Sequence, residues 1–140
     1  MATAEVWPYL TVGERYDSEG FYYEAVNKGI GPARLRSVIV KYQGEPIQGI
    51  DQLILDILGP EDAFSYDRYR SSVSATAVIS AGEVLNLFSV DWDPVTRRLS
   101  QALAPSLEIE ICYCSVYDDC WIAKRGANEA LPVEQCPTLP

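Results

Sequence analysis

The feature that most constrains this chain is a cysteine-rich pattern at residues 111–121, which reads Ile-Cys-Tyr-Cys-Ser-Val-Tyr-Asp-Asp-Cys-Trp. It holds three of the four cysteines of the 140-residue sequence. The pattern predicts two strands joined by a short loop at residues 116–118, with thiols facing each other across the hairpin. Such an arrangement is typical of a small β domain that is stapled by disulfides in an oxidising compartment.

The register of this hairpin favours one pairing of the cysteines. A three-residue loop places Cys114 opposite Cys120, where Cβ atoms lie about 4.5–5.5 Å apart, close to the distance that a disulfide needs. Cys112 lies two residues earlier on the same outer face, where the tail that carries Cys136 can fold over it. We therefore expect Cys114–Cys120 with Cys112–Cys136, while Cys112–Cys120 with Cys114–Cys136 stays open.

Two other roles for the cysteines are weaker. Four thiolates could bind zinc, but the spacings are one, five and fifteen residues, and the usual Cys-x2-Cys pairs are missing. A redox pair would need a Cys-x-x-Cys motif at a helix N-terminus, which lowers a thiol pKa, and no such motif is present. We expect no metal and no cofactor.

Most of the remaining sequence has the alternation and β-branched content of short strands. We predict strands at residues 4–12, 21–27, 34–42, 70–79, 83–91, 107–114 and 120–124. Pro8 indicates that the first of these is an edge strand. In the third strand, Leu35, Ser37, Ile39 and Lys41 are expected on one face, and Val38, Val40 and Tyr42 on the other.

Two segments depart from the strand pattern. Residues 50, 53, 54, 57 and 58 are Ile or Leu at helical spacing, and Gly59–Pro60 follows, so we predict a helix at about 50–58. A shorter helical segment or turn is expected from Asp93–Pro94 to about Leu103. The tail at about 125–140 contains Pro132, Pro137 and Pro140, too much proline to continue a sheet.

These elements predict one all-β domain over residues 1–140. Seven short antiparallel strands with turn signals are typical of an immunoglobulin-like β-sandwich, here with a short inserted helix. In the strand at 107–114, the odd-numbered residues are apolar, while Glu108 and Glu110 mark the face that meets water.

Composition argues against several classes of function. The net charge is −9, and the nearest basic clusters are Arg34/Arg36, Arg68/Arg70 and Arg97–Arg98, so we expect no nucleic-acid partner. The sequence contains no histidine, which is the commonest general base and metal ligand. We therefore expect no enzyme activity.

Acidic and aromatic clusters offer alternatives to that view. Asp91/Asp93 and Asp118–Asp119 bring carboxylates together, although neither resembles a calcium loop. Glu108 and Glu110 could form a carboxylate pair for glycoside hydrolysis, but charge on the exposed side of a strand explains them more simply. The tyrosines, including Tyr22–Tyr23 and Tyr66/Tyr69, fit a recognition surface and a filled core equally well.

Three segments together resemble a family of uncharacterised bacterial proteins with a membrane anchor and an extracytoplasmic immunoglobulin-like domain. They are residues 4–10, the Asn-x-Gly-x-Gly-Pro-Ala turn at 27–33 with its following strand, and the cysteine hairpin at 111–121. The resemblance implies that an N-terminal transmembrane helix precedes this segment in the native protein. It brings no activity and no catalytic residue.

The expected function follows from these points. We expect a non-catalytic, extracytoplasmic binding or structural module whose partner is an unknown protein or envelope component. It would meet the membrane only through the N-terminal anchor. The alternative is an envelope enzyme, or a metal- or thiol-binding protein that uses the cysteine cluster.

Overall fold

The computed structural model describes residues 7–47, 49–63, 69–70, 77–127 and 129–137. Within these residues the chain forms ten strands and two helices. The strands are β1 (Leu10–Tyr16), β2 (Gly20–Asn27), β3 (Ala33–Tyr42), β4 (Glu45–Pro46), β5 (Tyr69–Arg70), β6 (Val78–Ile79), β7 (Val84–Asp91), β8 (Leu107–Cys114), β9 (Cys120–Lys124) and β10 (Leu131–Val133). The helices are α1 (Ile50–Leu58) and α2 (Pro94–Leu103).

The strands form two antiparallel sheets that pack against each other. The first sheet has the order β1-β2-β7-β5, and the second has the order β10-β9-β8-β3-β4, with β6 also paired to β3. This confirms an all-β sandwich with a short helix at 50–58. Strand β8 matches its predicted bounds and faces, because Leu107, Ile109, Ile111 and Tyr113 are all buried.

Aromatic rings fill much of the space between the sheets. Phe21 and Tyr23 of β2 lie 6.0 Å and 6.2 Å from Phe88 of β7, ring centre to ring centre. On the other sheet the ring of Tyr113 stacks on Trp121 at 5.7 Å. The Tyr113 hydroxyl also accepts a hydrogen bond from the backbone N–H of Leu10 at 3.2 Å, which ties the two sheets together.

A β-bulge in β3 overturns part of the predicted face assignment. Leu35 pairs with Tyr113 and Ser37 pairs with Cys112, so Arg36 is an extra residue in this strand. Leu35 therefore faces the core, whereas Ser37 shares the outer face with Cys112. Simple alternation predicted that the two share one face, which is wrong, because an extra residue reverses the alternation beyond it.

The strand count and two boundaries also differ from the prediction. The described residues form ten strands rather than the seven predicted, because β4 and β10 are two- or three-residue pairings that carry little pattern and the predicted strand at 70–79 is represented by two separate pairings, β5 and β6. The first strand begins at Leu10 rather than near Ala4, and residues 1–6 lie outside the described part. The predicted strand at 70–79 is described only at its two ends.

The proline-rich tail does extend a sheet, contrary to expectation. Pro132 lies in β10 opposite Trp121 of β9. Since β10 is the outermost strand of its sheet, the missing N–H of proline is tolerated there.

Both helices have clear local causes. In α1, Leu53, Ile54 and Leu58 are buried, and Gly59 ends the helix with a φ of 83°. In α2, the Asp93 side chain accepts a hydrogen bond from the N–H of Thr96 at 2.8 Å, and the Thr96 hydroxyl accepts one from the N–H of Asp93 at 2.6 Å. Neither helix is long and apolar enough to cross a membrane, and the described residues contain no other candidate span.

Candidate functional site

The cysteine hairpin is built on a three-residue turn. The N–H of Ser115 donates to the carbonyl of Asp119 at 2.8 Å, and the N–H of Asp118 donates to the carbonyl of Ser115 at 3.1 Å. Asp118 adopts a φ of 66°, as expected for the last residue of a three-residue hairpin loop, which sits in the left-handed region. This turn fixes the register that sets Cys114 opposite Cys120.

Two disulfides occupy the outer face of this hairpin. Cys114 is joined to Cys120, and Cys112 is joined to Cys136. This is the pairing that the register of the hairpin favoured. The second bond holds residues 134–136 of the tail over the outer face, and Cys112, Cys114 and Cys120 are buried there.

The two disulfides lie against each other. The Sγ atoms of Cys114 and Cys136 are 3.9 Å apart without being bonded, and those of Cys114, Cys120 and Cys136 all lie within 4.8 Å of one another. This spacing would suit ligands of one metal ion. Each sulfur is instead bonded to another sulfur, whereas zinc requires free thiolates. We call these four cysteines the sulfur cluster.

A shallow cavity of about 360 Å³ opens beside the sulfur cluster. Cys114, Cys120 and Cys136 contribute to its wall, together with the bulge residue Arg36 and with Glu134 and Asp118. Cys136 is only partly buried, so among the four cysteines it is the most accessible to solvent. The cavity therefore exposes one end of the Cys112–Cys136 bond.

Several turns converge at the same end of the sandwich. This turn end comprises the N-terminal segment at 7–9, the corner at 28–32 between β2 and β3, the turn at 80–83 between β6 and β7, and the hairpin turn at 115–119. Ion pairing and hydrogen bonding link these turns. Arg34 at the start of β3 pairs with Asp118 in the hairpin turn.

Asn27 organises the turn end from a fully buried position. Its Oδ1 accepts hydrogen bonds from the N–H groups of Tyr9 and Gly29 at 3.2 Å and 3.0 Å. Its Nδ2 donates to the carbonyls of Gly31 and Ile79, both at 2.9 Å. Sequence reasoning noted the Asn-x-Gly-x-Gly-Pro turn but missed this role, because nothing in a single sequence shows that the amide reaches four backbone groups.

The turn end also carries exposed apolar side chains that the sequence did not single out. Ile30 in the corner is 68% exposed and Tyr117 in the hairpin turn is 63% exposed. The others are Trp7, Val78, Val84 and Val116. Turns usually carry polar residues, so this content is informative.

The basic clusters serve local contacts. Arg34 pairs with Asp118, Arg98 pairs with Asp62 at 2.9 Å, and the Arg97 guanidinium lies over the ring of Trp92. Arg68 lies outside the described residues. Among the described side chains these clusters do not form one basic surface, since Arg34 pairs with Asp118 at the turn end and Arg97 lies over Trp92.

The acidic candidates are explained by local contacts as well. Glu110 pairs with Lys124 on the neighbouring strand at 3.5 Å, and it lies with Glu108 on the outer face of β8. Asp93 caps α2, and the Trp92 indole N–H donates to the carbonyl of Asp17 at 2.6 Å. Glu14 and Glu24 line a separate cavity, where they pair with Arg125 and Arg15.

The tyrosines divide between core and surface. Tyr23 is fully buried beneath the Arg125 guanidinium, whereas Tyr22 points outward under Arg15. Burial raises the pKa of the Tyr23 phenol well above its ordinary value. Tyr66 lies outside the described residues. The described tyrosines thus serve partly as core and partly as surface, the two roles left open by the sequence, and Tyr117 is the most exposed described ring.

Arg125 is a structural residue that sequence reasoning also missed. Its guanidinium donates to Glu14 on β1 at 2.8 Å and to the carbonyls of Leu107 and Ala104 at 2.7 Å and 2.9 Å. It thus joins the two sheets at the end opposite the turn end.

We found no matching protein-family model, and neither curated proteins nor solved structures yielded a match.

Proposed function

We propose that this protein is a non-catalytic binding or structural module that works outside the reducing cytosol and contacts a partner protein through its turn end. The observation that carries the proposal is the exposure of Ile30 in the corner at 28–32 and of Tyr117 in the hairpin turn at 115–119. Hydrogen bonds of the buried Asn27 side chain and the Cys114–Cys120 disulfide hold these two turns in place. Aromatic and aliphatic side chains on a rigid support are the usual anchors of protein interfaces.

Rigidity is what makes these turns suitable for binding. Asn27 fixes the corner through four hydrogen bonds to backbone groups, and the Cys114–Cys120 disulfide closes the hairpin directly below its turn. A preorganised surface loses little conformational entropy when a partner binds. The Asn27 amide and the Arg34–Asp118 ion pair hold the turns together, which favours a binding role for this end over a catalytic one.

We also propose that the sandwich is immunoglobulin-like. Its strand order supports this, because β1-β2-β7-β5 facing β9-β8-β3 corresponds to strands A-B-E-D facing G-F-C of an immunoglobulin constant-type domain. The turn end then corresponds to the end that carries the B–C and F–G loops, two of the three antigen-binding loops of variable domains. Its disulfides differ from that pattern, since both lie on one sheet rather than between B and F.

The compartment and anchor are part of the same proposal. Two disulfides with no free cysteine support an oxidising environment. The resemblance of three segments to membrane-anchored bacterial proteins supports attachment through an N-terminal helix. The partner protein would belong to the cell envelope.

Site-specific photocrosslinking tests the binding role. A benzoylphenylalanine residue is placed at Tyr117 of the turn end or at Tyr16, a partly exposed aromatic at the opposite end of β1. We expect one defined adduct in envelope preparations from position 117, lost when Ile30→Asp is added, and none from position 16. Equal labelling from both positions, or an adduct that survives Ile30→Asp, would overturn the proposed surface.

A further inference from the structure

We infer that the sulfur cluster is a thiol-exchange site, in which an external thiol reacts at Cys136 and the tail staple then moves from Cys112 to Cys114. This inference goes beyond the proposed binding role and does not depend on it. It rests on the positions of the sulfur atoms, on their different exposure and on the cavity beside them.

The first step follows from exposure. Thiol–disulfide exchange begins when a thiolate attacks an accessible sulfur. Cys136 is partly exposed and faces the cavity, whereas Cys112, Cys114 and Cys120 are all at least nine-tenths buried. An external thiolate therefore forms a mixed disulfide with Cys136 and releases the Cys112 thiolate, which takes up a proton.

A second external thiol completes the reduction of this bond. Its thiolate attacks the external sulfur of the mixed disulfide and releases the Cys136 thiolate. The two external thiols leave as one disulfide, and the protein has gained two electrons. Arg36 lines the same cavity, and a cation near a thiolate favours the ionised form. Glu134 and Asp118 also line the cavity, although Asp118 is already paired with Arg34.

The third step follows from the distance between the two disulfides. The released Cys136 thiolate lies beside the Sγ atom of Cys114, which is 3.9 Å from the Cys136 sulfur in the oxidised protein. Its attack forms a Cys114–Cys136 bond and releases Cys120 as a thiolate. The external thiols remain the only reductant, since this step exchanges one disulfide for another.

The result is a tail that stays attached after partial reduction. Cys112 and Cys114 lie on one face of β8, two residues apart, so their Cα atoms are separated by about 6–7 Å. The Cys136 and Cys114 sulfurs start 3.9 Å apart and a disulfide measures about 2 Å, so the tail sulfur moves by only about 2 Å and the tail keeps its covalent bond to β8. In place of the closed Cys114–Cys120 hairpin, the two-electron-reduced protein has free thiols at Cys112 and Cys120.

Limited reduction of the wild-type protein tests this sequence. The folded protein is treated with one equivalent of dithiothreitol, quenched in acid, labelled with N-ethylmaleimide and mapped by peptide mass spectrometry. We expect label on Cys112 and Cys120, with Cys114–Cys136 intact. Label on Cys112 with Cys136, on Cys114 with Cys120, or on Cys112 with Cys114 would overturn the inference.

A single variant provides a second test that needs no reductant. Cys112→Ser leaves Cys136 as a thiol beside the Cys114–Cys120 bond. We expect label on Cys120 in at least about a tenth of the molecules. This fraction means that the free energy of the Cys114–Cys136 pairing is at most about 1.4 kcal/mol above that of the Cys114–Cys120 pairing. Label confined to Cys136, in protein with an unchanged circular dichroism spectrum, would contradict the inference. Cys112→Ser/Cys136→Ser is the control, and it should show no label.

Discussion

At the scale of single residues, buried polar groups hold this molecule in one arrangement. Asn27 satisfies both of its side-chain atoms with four backbone partners, and Arg125 bridges the sheets at the other end. A buried polar atom that loses its partner costs more than the bond itself contributed. These residues are therefore where small changes should have large effects.

Asn27→Ala should lower the free energy of unfolding by about 3 kcal/mol, because two N–H groups and two carbonyls lose their partners. Urea unfolding measures this change. Gln52→Ala, which removes an exposed hydrogen bond to Asp56 on α1, is the matched control and should cost less than about 0.5 kcal/mol. Similar losses in the two variants would show that Asn27 does not organise the turn end.

Tyr23 predicts how stability changes at high pH. Burial raises the pKa of its phenol, so above about pH 10 the unfolded chain binds fewer protons than the folded chain, and the free energy of unfolding falls as pH rises. Tyr23→Phe removes this loss. Its stability relative to the wild type should therefore rise between about pH 9 and pH 11, as measured by urea unfolding. Tyr117→Phe serves as a control for the removal of a phenol, and a flat difference for Tyr23→Phe would refute the argument.

At the scale of strands and helices, close backbone contacts and caps decide where each element lies. Gly20 begins β2 so close to β7 that an added Cβ would meet the carbonyl oxygen of Val90 at 2.1 Å. Gly13 in β1 has open space at the same position. The two glycines thus belong to adjacent strands but tolerate side chains very differently.

Gly20→Ala should destabilise the fold by about 1–3 kcal/mol, since the contact is with backbone and cannot be relieved by a rotamer change. Gly13→Ala should be neutral or should stabilise by up to about 1 kcal/mol, because alanine loses less conformational freedom on folding. Thermal unfolding of both variants checks the contrast. Equal effects would mean that β2 and β7 are not packed as closely as described.

Asp93→Ala should cost about 1 kcal/mol through loss of the N-cap of α2. Asp93→Asn keeps an oxygen that accepts from the N–H of Thr96, so it should retain most of the stability. Chemical unfolding of the two variants separates the cap from a general effect of substitution. An asparagine variant as unstable as the alanine variant would argue against the capping interpretation.

The elements also show what could be predicted from the sequence and why the rest could not. Helix α1 and strands β8 and β9 match their predicted bounds because their apolar periodicity is local and uninterrupted. The bulge at Arg36 and the short strand β10 depend on pairing with distant residues, which a single sequence does not display. The cysteine register could be derived because a three-residue turn fixes it, whereas the apolar turn end required the fold to bring four segments together.

At the scale of the whole molecule, the two disulfides should contribute unequally to stability. The Cys112–Cys136 bond joins residues 24 positions apart, and the Cys114–Cys120 bond joins residues 6 apart. Closure of the longer loop restricts the unfolded chain more strongly.

Cys112→Ala/Cys136→Ala should therefore lower the free energy of unfolding by about 3 kcal/mol, and Cys114→Ala/Cys120→Ala by about 2 kcal/mol. Denaturant unfolding under non-reducing conditions measures both. If the shorter loop proved the more stabilising, the contribution would come from packing in the folded hairpin rather than from chain entropy.

Both disulfides lie within one sheet, and this placement has a consequence for local opening. Every covalent cross-link restrains β8, β9 and the tail, while β1 and β2 are held by packing, hydrogen bonds and ion pairs such as Arg125–Glu14 and Arg15–Glu24. The amides of β1 should therefore exchange with deuterium through low-energy openings, and those of β8 only through global unfolding. A partly opened form would keep the cysteine hairpin as its last folded unit and as the template on which the other sheet closes again.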